Sequence, residues 1–357
     1  MGIEVRGRHT LADFLNDTFA LVPRIWKRAL PVSAVVLLPG AAIWAAAVAS
    51  LAGFVSKVSE KGESFGKDPS GILASFGPFL WLCGLASACL FLGSSFQKAY
   101  VCAEANAAIE GRKPPFRKLL LGVARRPFLR VTVQDAAIAA LETALALIAA
   151  LAVFLPFLIG MIGELAEIGK KDGPGFGFVA LFILLYLVAI LAAAAAIWWL
   201  RVKTAVCAPA SVCEGVNALA GMGRSVDLVR GRGWRVFGEM FVVSLVISFG
   251  LGILTGPVTF AVILPGYFSI LKESIAGAEP SPASIAAFLS SLSWAMGVAM
   301  LISGIVEGCL WPSFLSLLHA DLRARAGETR GFDGRRGVLG GRVLRGSRRR
   351  RLVELDA

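Results

Sequence analysis

Six stretches of this chain run for at least 25 residues with no more than two charged side chains each, and they restrict the fold more than any other feature. They cover Ala29–Val55, Ile72–Tyr100, Val131–Gly163, Phe176–Leu200, Val236–Leu271 and Ile285–Leu318. About 20 apolar residues in a helix cross the hydrocarbon core of a bilayer. Each run is therefore read as one span, and the longer ones must tilt, bend or protrude. Pro39, Pro156, Pro257 and Pro265 mark the expected kinks. Composition agrees: 57% of residues are apolar and 17% charged, against about 45–50% and roughly 25% in soluble domains. The expected fold is an all-α polytopic membrane protein, with a leader at 1–28, a six-span domain at 29–318 and a basic tail at 319–357 read as disordered.

The net charge of +12 would suggest a nucleic-acid partner in a soluble protein. Here its distribution explains it, and no nucleic acid is expected. Of 36 Lys+Arg, 30 fall in the leader, in segments 98–130 and 201–235, and after residue 318. The other six (Lys57, Lys61, Lys67, Lys170, Lys171 and Lys272) lie in the alternate loops beside acids. Basic loops stay cytoplasmic, so both termini are expected in the cytoplasm, with no cleaved signal peptide. The six cysteines lie in or beside apolar runs without a C-x-x-C pair. They read as small core residues, not as a disulfide framework or zinc site.

An internal pattern recurs about every hundred residues. "PRIWKRAL" around Trp26, "RRPFLRVT" around Phe128 and "GRGWRVFG" around Trp234 each follow a short amphipathic segment and open a long span. Before Trp26, the residues Leu11, Phe14, Thr18 and Leu21 share a helical face. Before Trp234, the stripe is Leu219, Met222, Val226 and Val229, leaving Arg224, Asp227 and Arg230 outside it. Pro23, Pro127 and the Gly231/Gly233 pair are the breakers. "KAYVCAEA" and "KTAVCAPA" align the second spans of two units, with Lys98 matching Lys203. The expected architecture is thus three hairpins, each preceded by an amphipathic interfacial helix. Such helices anchor the hairpins, or they dock anionic inner-leaflet lipid or a protein partner at the cytosolic face.

The segment "APASVCEGVNALAGMGRSVDLVRGRGWRVFG" resembles the membrane domain associated with glycerophosphoryl diester phosphodiesterases in bacteria. Pro209, Glu214, Gly215, Arg224, Ser225, Arg232 and Trp234 carry the likeness. After the last span, Asp321, Leu322, Arg323, Arg325, Gly331, Phe332 and Asp333 are similar to that family's closing segment. His319 and Ala320 depart from it, standing where aromatics are usual, and "AGET" disturbs the final spacing. The resemblance implies a stand-alone six-span protein of the bacterial inner membrane. It does not imply phosphodiesterase activity, because a catalytic barrel needs about 250 residues and the chain has only His9 and His319.

Three carboxylates within spans are the candidate polar site: Asp135, Glu142 and Glu307. Asp135 and Glu142 lie seven apart on one face of span 3, and Glu142 is roughly 18 Å along the helix from Arg130. Ionisable groups at such depth are costly and often functional. Three readings stay open for this pair: an ion pair inside the bundle, a solute path, or a shallow surface charge. Glu307 is expected to pair with Arg201 or Lys203. Glu214 and Arg224, ten apart, can meet only across a turn or between helices, and packing outranks catalysis for them. Gly252-x-x-x-Gly256 and Gly304-x-x-x-Gly308 are expected to pack spans 5 and 6 together. "GPGFG" at 173–177 is read as a loop with no nucleotide. Arg348–Arg351 either hold the tail to the inner leaflet or are simply solvated. No catalytic residue, cofactor or metal is expected. The leading expectation is a non-enzymatic scaffold or regulator of envelope or lipid-linked processes. The alternative is a transporter or channel for a small solute or lipid that uses the intramembrane carboxylates.

Overall fold

The computed structural model describes residues 10–61, 69–167, 176–277 and 281–328. Its helices are α1 (Leu11–Lys61), α2 (Pro69–Ile109), α3 (Phe116–Arg125), α4 (Pro127–Glu167), α5 (Phe176–Thr204), α6 (Cys207–Cys213), α7 (Ala218–Val229), α8 (Gly233–Ile275) and α9 (Pro282–Arg325). The six long ones, α1, α2, α4, α5, α8 and α9, are each long and apolar enough to cross a membrane. This is an all-α polytopic architecture with six helices suited to span. The tail beyond 328, including Gly331, Phe332, Asp333 and Arg348–Arg351, lies outside the described residues, as do His9 and most of "GPGFG".

Packing follows the small residues. α1 packs on α2 and α9, α9 also on α2 and α8, and α4 on α5 and α2, while α5 touches α8 sparsely. A Cβ on Gly93 of α2 would stand 2.6 Å from the Val36 carbonyl oxygen of α1, so only glycine lets these backbones meet. In α9, a side chain on Gly304 would press on Leu37, and one on Gly308 would overlap the Gln97 amide. Gln97 uses that room to donate to the Gly304 carbonyl at 3.1 Å. The glycine pattern of α9 therefore serves α1 and α2, not the expected contact with α8. Gly252 and Gly256 of α8 face open space, and α8 meets α9 instead at Gly266, against Phe288 and Ser291.

Two of the three expected short helices stand apart: α3 ahead of α4, and α7 ahead of α8. The first does not. α1 runs 51 residues without a break through Pro23, Pro31 and Pro39. Phe14, Thr18, Leu21, Ile25, Ala29 and Val32 are all buried, and their spacing of three and four continues in phase across Pro23. Packing against α9, with Phe14 edge-on to Phe314 at 6.3 Å, outweighs the single hydrogen bond that a proline removes. Helix α8 likewise continues through Pro257 and Pro265. The apolar stripe of α7 is divided between protein and surroundings. Leu219 and Val226 of its apolar stripe are exposed, whereas Gly221, Ser225 and Leu228 are buried. Val229, the last residue of the stripe, is buried with them and Met222 is half-buried, so only part of the apolar face is left open, as suits a helix lying in the headgroup plane.

Candidate functional site

A polar cavity of about 400 Å3 lies among α2, α4, α5, α8 and α9. All three in-span carboxylates of the candidate polar site line it, together with Lys98 and Arg201. Lys98 Nζ, on α2, donates to Asp135 Oδ1 at 2.6 Å. Ser95, one turn earlier, donates to Asp135 Oδ2 at 2.9 Å. Arg201, near the end of α5, grips Glu142 with two bonds, Nε to Oε1 at 2.7 Å and Nη2 to Oε2 at 3.0 Å. This fork geometry is the strong form of the arginine–carboxylate pair. Asp135 and Glu142 are thus both ion-paired.

Glu307 is different. It lines the cavity from α9, is exposed to it, and makes no hydrogen bond or ion pair among the described residues. The expected partner Arg201 is held by Glu142, and Lys203 sits with Nζ 5.1 Å over the Trp199 ring. The cavity is deep. Leu251, part of its lining, stands roughly 26 Å along α8 from Trp234. Trp234 itself is 77% exposed and lies tilted against Trp199 at 5.6 Å, as suits a membrane-interface aromatic.

The residues behind the family resemblance form a second polar system, at the end of the bundle that carries α6 and α7. Gly215, with φ +70°, turns the chain after α6, so Glu214 and Arg224 meet across the turn at 3.2 Å. His319 Nε2 donates to Glu214 at 3.1 Å, and Arg323 lies 3.7 Å from the same oxygen. Glu328 binds Arg224 closely and lies 3.4 Å from Arg323. Burial pushes the Glu214 carboxyl up, but the His319 hydrogen bond and the His319, Arg224 and Arg323 charges outweigh it and hold the carboxyl below its ordinary range. Arg224 is raised, its loss of solvent outweighed by Glu328 and Glu214.

Ser225 has a backbone task. The chain breaks helix between α5 and α6, freeing the Lys203 carbonyl and the Val206 amide. The fully buried Ser225 hydroxyl donates to the former at 2.9 Å and accepts from the latter at 3.2 Å. Gln134 anchors the same corner, donating to Ser211 at 2.5 Å and to the Ala218 carbonyl at 2.9 Å. Asp321, 0% exposed, accepts from Arg325 at 2.6 Å and from Arg235 at 3.3 Å. Arg232 donates to the Arg325 carbonyl at 3.2 Å. These contacts tie α7, α8 and α9 together.

Sequence reasoning missed Lys98, Gln134 and Trp198 as parts of these sites, and gave Arg201 to Glu307 without seeing its bonds to Glu142. Lys98, at the end of its apolar run though well inside α2, reads as an orientation charge; only the helix arrangement turns it inward. Among the described residues no group of three or more His, Cys, Asp or Glu gathers as a metal site. Fold and cavity together define a polytopic α-helical membrane protein with paired charges inside its spanning region. The chain matches no protein-family model, no curated protein and no solved structure.

Proposed function

We propose that this protein moves a small charged or zwitterionic molecule through the bilayer by way of the cavity between α2, α4, α5, α8 and α9. One observation carries the reading: an open polar cavity, about 400 Å3 in volume, walled by Lys98–Asp135, Arg201–Glu142 and Glu307. Charges in spanning segments are costly and mark solute paths or relays. A purely structural bundle has no use for a hollow at this depth, since packed small and apolar side chains would fill it at lower cost. The two ion pairs make the wall polar without leaving bare charge, and Glu307, near the Arg201 charge but without a hydrogen bond among the described residues, supplies a carboxylate that can meet a ligand. We place both termini in the cytoplasm of a bacterial inner membrane, on the 30-to-6 division of basic residues, and assign no chemical reaction to the protein. The family suggested by Glu214, Arg224, Ser225, Arg232 and Trp234 stays a proposal on those residues alone.

The scaffold reading has less support. Its docking arginines Arg224 and Arg232 are engaged inside the protein, with Glu214, Glu328 and the Arg325 carbonyl. Exposed Arg230 and the basic α3 still suit anionic headgroups, which an anchor also needs.

The test is thiol accessibility in a cysteine-free background. Ala139→Cys and Ser248→Cys line the cavity, and Leu147→Cys, on the exposed face of α4, is the lipid-facing control. A membrane-impermeant thiol reagent should label the first two from one side of oriented vesicles and leave the third unlabelled. If both cavity positions are inert from both sides, the reading is wrong.

A further inference from the structure

Beside the polar cavity lies a second hollow of about 520 Å3, almost wholly apolar, lined by Ala194, Ala195, Trp198, Trp234, Phe237 and Phe241 among others. It occupies the seam between α5 and α8, which touch only sparsely. The alanines make room on α5 where larger side chains would close the seam. Trp198 belongs to both hollows. Its ring packs edge-on to Phe237 at 5.9 Å and Phe241 at 6.2 Å, so one side chain separates an oily groove from a charged chamber.

Two charges flank this partition without a hydrogen-bonded ion pair among the described residues, the Arg201 bonds being given to Glu142 and its charge reaching Glu307 only from farther off. Glu307 lines the polar chamber. Lys203 lies over Trp199, a ring that also lines the groove. One negative charge inside and one positive charge at the groove match a headgroup that carries an ammonium and a phosphate.

We propose, resting on the transport reading above, that the molecule bound is a bilayer amphiphile with a zwitterionic aminophosphate headgroup. Its acyl chain lies in the Trp/Phe groove, its phosphate beside Lys203, and its ammonium past Trp198 on Glu307. The lipid reaches the chamber sideways, between α5 and α8, and no bond is made or broken. The apolar groove lets the chain stay in an oily environment while the headgroup leaves the interface, which removes the main cost of admitting a lipid to a polar path.

The experiment uses the full-length protein in nanodiscs holding equal amounts of two photoactivatable-acyl lipids, phosphatidylethanolamine and phosphatidylglycerol, with crosslinks mapped by mass spectrometry. The ethanolamine lipid should label the groove about tenfold more than the glycerol lipid, a ratio one charged contact can supply. Ala195→Trp and Ala194→Phe, each filling the groove from its outer wall, should each cut that labelling about tenfold. Glu307→Gln should erase the preference and leave total labelling within about twofold. Equal labelling by both lipids, or no effect of either groove-filling variant, overturns the proposal. The water-soluble headgroup phosphoethanolamine separates the two levels. If it protects Ala139→Cys from the thiol reagent while the lipids fail to discriminate, the cavity transports a soluble ligand and only the lipid assignment falls. If Ala139→Cys never reacts, the cavity reading falls with it.

Discussion

Asp135→Asn is the substitution whose cost the geometry specifies best. The Asp135 side chain is 13% exposed and sits 2.6 Å from Lys98 Nζ, itself 30% exposed. Removing one member of a buried pair costs about 3–5 kcal/mol, because the other charge is stranded. Lys98 keeps part of its solvation from the cavity, which brings the expected loss to about 2–3 kcal/mol. Lys98→Met strands Asp135 instead, but Ser95 still donates to it at 2.9 Å, and the loss falls to about 2 kcal/mol. The double variant carries neither charge and should lose only about 1–2 kcal/mol, leaving a coupling of about 2–4 kcal/mol. Reversible unfolding in mixed micelles, followed by tryptophan fluorescence, gives all four corners of the cycle. Additivity within about 0.3 kcal/mol would show that the two groups are not coupled, and the paired-charge description of the chamber would be wrong.

Gly308→Ala and Gly252→Ala should move stability in opposite directions. The first pushes α9 off Gln97 and should cost about 1–3 kcal/mol, whereas the second meets nothing and should add up to about 1 kcal/mol of helix propensity; the same unfolding assay reads both. Ser225→Ala leaves the Lys203 carbonyl and the Val206 amide unpaired in a buried corner and should cost about 1–3 kcal/mol, again by unfolding. The Glu214 carboxyl is held low by His319, Arg224 and Arg323. Its contribution is complete above the ordinary glutamate value of about 4.3 and is lost as pH falls through the lower folded value. Melting temperature should therefore drop more steeply below about pH 4.3 in the wild type than in Glu214→Gln; parallel curves would remove Glu214 from the account.

The six long helices were legible because nothing but a membrane span explains runs of that length without charge. Their ends were less so: α1 begins at Leu11 and α9 extends to Arg325, beyond the apolar runs, since both ends are buried against other helices and not against lipid. Pro23 misled because a proline in polar surroundings signals a break, and only the in-phase burial of Phe14, Leu21 and Ile25 shows why the helix continues. For the site, Asp135 and Glu142 announced themselves as charges in oily surroundings. Their partners did not, because Lys98 and Arg201 look like any basic residue at a span's end. Glu307 was placed near the right neighbour, since the Arg201 charge acts on it, but the hydrogen bonds of Arg201 go to Glu142, and which carboxylate reaches Arg201 first depends on helix positions that spacing along the chain does not encode. The Trp198 partition needed the α5–α8 seam, which joins residues about forty apart through aromatic rings and leaves no periodic trace.

The central claim is that water reaches the charged chamber at membrane depth. A nitroxide at position 139, facing Asp135 and Glu142 from the cavity wall, and another at position 147, on the lipid-facing side of the same helix, test it in one reconstituted sample. Collision with a water-soluble nickel chelate should exceed collision with oxygen at position 139, and oxygen should dominate at 147. Oxygen-dominated relaxation at both positions would mean a closed, dry bundle and would contradict the account.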